Sequence, residues 1–123
     1  MNMSQNISRQ LEDKLKQYQT LQQKLMSVQQ QIQQMKVEQI EIEKALKEIK
    51  ELPEDEQCYR NIGRIMVKST IKDTKTKLTD RKELIETRIE LSQKSHDKIQ
   101  KQFTELEQTI RSSLERSDAE KAS

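Results

Sequence analysis

The sequence is nearly without turn chemistry, holding a single glycine, Gly63, and a single proline, Pro53, in 123 residues. So few breaks exclude a fold of many short elements; those present must be few and long. Aromatic residues amount to 2%, tryptophan is missing, and the apolar and aromatic types together reach only 31%. That is too little for a conventional globular core, yet enough for a narrow seam between helices. One cysteine, Cys58, excludes an internal disulfide and accords with a reducing compartment. No apolar run exceeds Ile65, Met66 and Val67, far short of the ~20 residues needed to span a bilayer. Nothing resembles a secretory leader either, so no membrane partner and a cytoplasmic location are expected. An excess of charge of one sign is also lacking. Charged residues make up 36%, but the net charge is only +2 and the signs are interspersed, which argues against a self-repelling disordered chain.

What the chain does have is period. Stepping from Ile7 alternately by four and three visits Leu11, Lys14, Tyr18, Leu21, Leu25, Val28, Ile32, Met35, Gln39, Ile42, Leu46 and Ile49. Only Lys14 and Gln39 break the apolar register. A repeat of 3.5 residues keeps one stripe on a partner helix, so residues 7–52 read as one arm of a coiled coil. The glutamine-rich stretch between Gln17 and Gln39 keeps this register and reads as helix surface. Pro53 ends the arm, and Glu54, Asp55 and Glu56 read as a loop. After residue 70 the pattern resumes through Leu78, Ile85, Ile89, Ile99, Phe103, Leu106 and Ile110, interrupted at Lys75, Lys82, Ser92, His96 and Ser113. A second helix is predicted over 71–116, with 117–123 frayed.

Between the arms lies a segment of another kind. Tyr59, Ile62, Ile65, Met66 and Val67 surround Gly63, and a Gly-x pair makes a natural two-residue hairpin turn. The reading is a β-hairpin over 58–69, with Ile62 opposite Ile65 and Asn61 opposite Met66. An isolated ribbon is marginal in water, so it is expected to complete itself by joining other strands. The fold class is therefore dominated by α-helix: a long antiparallel two-helix coiled coil with a short β-hairpin at the joint, as one domain over 1–123. Charge agrees with folding back. Glu41, Glu43, Glu48, Glu51, Glu54, Asp55 and Glu56 crowd the first arm near the joint, while Lys68, Lys72, Lys75, Lys77, Arg81 and Lys82 lie on the returning side. Such pairs select orientation more than they stabilise.

Chemistry finds no foothold. His96 is the only histidine and falls on the seam, where it reads as a packing or register residue rather than a metal ligand. Cys58 has no histidine near it and reads as a small strand residue. Glu54–Glu56 lack the glycine and alternating oxygens of a calcium loop. The basic stretch from Arg60 to Lys82 has an internal explanation in the acidic arm, so nucleic acid is not expected as a partner. There is no phosphate loop and no nucleophile with a base, so neither a catalytic site, a metal site nor a cofactor is predicted, and the chain is not expected to be an enzyme.

The run Ala45-Leu46-Lys47-Glu48-Ile49-Lys50-Glu51-Leu52-Pro53-Glu54-Asp55, followed by Tyr59-Arg60-Asn61-Ile62-Gly63-Arg64-Ile65-Met66-Val67-Lys68, resembles the joint of the β-type prefoldin subunits. A long helix on each side extends the likeness over nearly the whole chain. It looks closest to the archaeal β subunits, and Cys58-Tyr59-Arg60 with Ile62-Gly63 is also similar to eukaryotic prefoldin subunit 2. The resemblance implies an ATP-independent molecular chaperone, a holdase, built as a hexamer of two α-type and four β-type subunits. Hairpins would form its platform through Tyr59, Ile62, Gly63, Ile65, Met66 and Val67. Coiled-coil tips would bind non-native client proteins and pass them to a group II chaperonin. Of the apolar side chains near the free ends (Met3, Ile7, Leu11 and Leu15 on one arm, Phe103, Leu106, Ile110 and Leu114 on the other), those expected at the client site are Ile7, Leu11, Leu15, Ile110 and Leu114. The competing reading is a scaffold or tethering coiled coil that dimerises in parallel, for which the ribbon has no use.

Overall fold

A computed structural model describes the backbone of residues 3–122 and the side chains of residues 8–119. Helix α1 covers Met3–Ile49, strands β1 and β2 cover Gln57–Ile62 and Ile65–Thr70, and helix α2 covers Ile71–Ala122. The predicted class is the one observed: two long helices joined through an antiparallel two-stranded ribbon.

The seam follows the heptad. Every predicted position from Leu11 to Ile49 is buried or half-buried, as are the predicted seam positions of α2, its polar ones included. Lys14 and Gln39 hold their seam places while the adjacent Leu15 and Ile40 stay exposed. One mismatched residue therefore does not rotate the helix; the apolar positions on either side fix its phase.

The chain forms two compact units, Met1–Gln31 with Ser92–Ser123 and Ile32–Leu91. In the second, Ile32, Ile42, Ile71 and Ile85 are buried, Ile85 most completely at 1% exposed. Arg81 reaches Glu38 at 2.8 Å, Lys82 reaches Glu43 at 4.0 Å, and the Lys75 ammonium donates to the Lys50 carbonyl at 3.1 Å. From the Glu43–Lys82 contact to the Lys50–Lys75 contact just past α1, positions rise on the first side and fall on the second, as antiparallel packing requires. In the first unit Leu25 and Ile110 are buried. Tyr18 stacks on Phe103 with ring centroids 4.5 Å apart, and Gln29 shares a 3.1 Å hydrogen bond with His96. The order of contacts is again antiparallel.

Element ends differ from expectation. Helix α1 stops at Ile49 rather than near Leu52, because the residue before a proline is pushed out of the helical region. The Leu52 N–H donates instead to Ile49 carbonyl, 3.1 Å, closing a tighter turn. Helix α2 runs to Ala122 instead of ending at 116. The stretch after Ser117 contains no Gly or Pro, and its Ala, Glu and Lys are good helix formers. At its start, the Thr70 hydroxyl accepts the Asp73 N–H at 3.2 Å, and Asp73 places negative charge in the first turn.

Candidate functional site

Among the described residues, the ribbon and one groove of the helix pair gather exposed apolar side chains together.

The ribbon has the register expected from its loop, with Ile62 facing Ile65 and Asn61 facing Met66 across Gly63-Arg64. Gly63 has φ +60° and no other described residue has positive φ, which is the pattern of a type II′ turn. Cross-strand partners share a face, so Cys58, Arg60, Ile62, Ile65, Val67 and Ser69 line one side. Gln57, Tyr59, Asn61, Met66, Lys68 and Thr70 line the other. Apolar side chains stand on both, and Tyr59 is 62% exposed, Ile65 68% and Met66 66%.

Beside a two-residue loop the flanking pair exchanges hydrogen bonds, and the pairs alternate from there. The Ile71 N–H donating to the Glu56 carbonyl at 2.9 Å continues that alternation at the base. It follows that Gln57, Tyr59 and Asn61 aim backbone N–H and C=O groups away from β2, and Met66, Lys68 and Thr70 aim theirs away from β1. Both edges are thus open templates for another strand. At the base, the Cys58 thiol lies 3.2 Å from the Thr74 hydroxyl, a contact that ties β1 to α2.

The second place lies within the Met1–Gln31 and Ser92–Ser123 unit. A groove of about 190 Å³ is lined by Leu15, Tyr18, Glu107, Ile110, Arg111 and Leu114. Its floor is the buried Ile110 and half-buried Tyr18; its walls are Leu15, 44% exposed, and Leu114, 47% exposed. Glu107 and Arg111 pair with each other at 3.2 Å on the rim. Of the five residues expected at the client site, Leu15, Ile110 and Leu114 converge here. Leu11 is half-buried on the seam, and the side chains of Ile7 and Met3 lie outside the described residues. Sequence reading missed Tyr18 and the rim pair. Only the walls carried a signal: Leu15 is four residues after Leu11 and Leu114 four after Ile110, so each extends the seam on the same flank, and in an antiparallel pair those flanks meet.

Other candidates resolve quietly. His96 is 16% exposed at the side chain, between Gln29 and Asp97, and acts as a polar layer in the seam. Among the described residues no group of His, Cys, Asp and Glu could hold a metal ion, and no helix is long and apolar enough to cross a membrane. The one resolved titration shift is at Arg81, held more basic than usual by the hydrogen bond and charge of Glu38.

Two long antiparallel helices joined through an open-edged ribbon define the class: a helical-hairpin protein with a β-ribbon at the joint. The family model described as prefoldin subunit matches residues 12–117. The chain is 36% identical to prefoldin subunit beta of Pyrococcus horikoshii over 110 residues, covering 89% of this chain and 94% of that one. With prefoldin subunit beta of Methanothrix thermoacetophila it shares 32% over 112 residues, 91% of this chain and 93% of the relative. The crystal structure of the prefoldin beta subunit from Thermococcus strain KS-1 superposes with a TM-score of 0.73 at 33% identity, covering 85% and 92% of the two chains. The chain belongs to the prefoldin subunit family.

Proposed function

We propose that this chain is a subunit of a cytoplasmic, ATP-independent chaperone that holds non-native proteins and delivers them to a group II chaperonin. The whole chain serves as one functional domain. Its ribbon joins α-type prefoldin subunits and further copies of itself, in a complex of two α-type and four β-type subunits, through Tyr59, Ile62, Ile65, Met66 and Val67. Its client site comprises Ile7, Leu11, Leu15, Ile110 and Leu114. The observation that carries the reading is the ribbon, apolar on both faces and open on both edges. Two strands alone do not stabilise themselves in water, and such edges invite pairing. The groove supports the second half, since an open apolar recess gives weak, sequence-tolerant grip that several arms multiply by avidity.

The test is to replace Leu15 and Leu114 together with serine. Both walls are about half exposed, so folding and assembly should survive, checked by circular dichroism and native mass spectrometry. Suppression of aggregation of a chemically denatured protein, followed by light scattering, should fall to a small fraction of the unmodified complex. Full holding by an intact complex of the variant would refute the groove as the client site.

A further inference from the structure

The base of the ribbon carries two features of opposite charge that the fold leaves unmatched. One is a concavity of about 350 Å³ whose lining includes Arg60, Lys68 and Lys77, the hydroxyls of Ser69 and Thr70, and a single carboxylate, Asp73. The Arg60 Nε is buried without a hydrogen-bond partner, and Lys68 and Lys77 make no ion pair among the described residues. The other is the connection Glu54-Asp55-Glu56. Its backbone is pinned by three hydrogen bonds: Glu56 N–H to the Pro53 carbonyl at 3.1 Å, Ile71 N–H to the Glu56 carbonyl at 2.9 Å, and Lys72 N–H to the Glu54 carbonyl at 2.9 Å. All three acidic residues are exposed, and they too make no ion pair among the described residues. The run is the exposed connection expected from the sequence, and the acidic arm accounts for only part of the basic segment. Only Arg81 and Lys82 of that segment pair with α1.

Strand geometry says what brings the two together. β2 runs from the turn toward the base, so an antiparallel neighbour on its open edge must run from base to turn. β1 of a second copy, its turn pointing the same way, does so and continues an all-antiparallel sheet. Gln57 of that copy then lies beside Thr70, and the acidic residues just before it lie against the Lys68–Lys77 end of the concavity.

We propose that Glu54-Asp55-Glu56 of one copy docks into the Arg60, Lys68 and Lys77 concavity of the next, fixing which edge meets which between copies of this chain. The contact rests on the edge-to-edge assembly proposed above and adds its direction. Unlike a two-fold contact, it is head-to-tail, and a ring closes it. Joining two equal edges, β1 to β1 or β2 to β2, would instead set like charges against each other, which disfavours those contacts.

Subunit exchange between labelled and unlabelled copies, in complexes formed with α-type subunits and followed by native mass spectrometry, tests the docking. Lys68→Glu with Lys77→Glu should speed exchange by about tenfold or more, as should Glu54→Lys with Glu56→Lys. All four changes in one chain should return exchange to within about twofold of the unmodified protein, because the charges again face their opposites. That restoration also separates the effect from misfolding. If the unmodified chain forms no complex holding several copies, the assembly reading fails and the docking with it. If complexes form but either pair of reversals exchanges at the original rate, or the fourfold variant stays fast, the docking is wrong while the assembly stands.

Discussion

Gly63 and Ile85 show what single residues contribute here. Gly63 has φ +60° with nothing within 4 Å of where a Cβ would stand. Gly63→Ala should therefore clash with no neighbour yet still strain the backbone, at a cost of about 1–3 kcal/mol. The cost falls on the ribbon, so helical circular dichroism should be unchanged while assembled complexes dissociate at lower urea. Ile85, 1% exposed, sits in the narrow seam, where few neighbours exist to collapse into a void. Ile85→Ala should lower stability by about 2–5 kcal/mol in urea unfolding, whereas Met26→Ala, at a position 57% exposed, should stay within about 0.5 kcal/mol. The role of Gly63 was legible because a lone glycine among strand residues has few explanations. The groove residue Tyr18 was not, because a seam aromatic looks the same in sequence whether its ring is covered or forms a floor.

Elements carry the next level of argument. The seam could be read position by position since an uninterrupted heptad allows only one phase, and the ribbon's register followed because a two-residue loop fixes it. Helix ends could not. Stopping α1 at Ile49 depends on how Leu52 and Pro53 turn, and the extension of α2 to Ala122 depends on the absence of any breaker rather than on a positive signal. Three predictions belong here. Met66→Pro removes an N–H that points outward, so the ribbon should persist but assembly should be lost; Val67→Pro removes one from the ladder to Arg60 and should also disrupt the ribbon. Native mass spectrometry reads the assembly, and amide exchange of the strands separates the two variants. The Gln29–His96 layer, a polar pair in an apolar seam, should trade stability for register. His96→Leu should raise the thermal midpoint. A fall would show that the hydrogen bond outweighs the apolar contact. The Arg81–Glu38 pair is exposed at both ends, and Glu38→Gln should change stability little and not at all in high salt.

The whole molecule makes sense only in company. Apolar side chains on both faces of an unpaired ribbon, a basic concavity and an acidic loop whose Lys68, Lys77 and Glu54–Glu56 make no ion pair among the described residues, and a groove open to solvent are costs for an isolated subunit. Each becomes useful in a complex. The fold class was legible in composition and period. The fold-back pairing of charge was legible in part, Lys82 meeting Glu43 of the acidic arm, while Lys68 and Lys77 make no ion pair among the described residues, because sequence separation does not reveal which side of a helix each charge takes. Membership of the prefoldin subunit family, matched over residues 12–117, fits the proposed roles of the arm in gripping clients and of the ribbon in assembly. The central claim is that this ribbon builds a mixed complex, and native mass spectrometry of the chain, alone and with α-type prefoldin subunits, tests it most directly. The account predicts a discrete complex with four copies of this chain and two of the partner. A stable parallel dimer that ignores every such partner would contradict it.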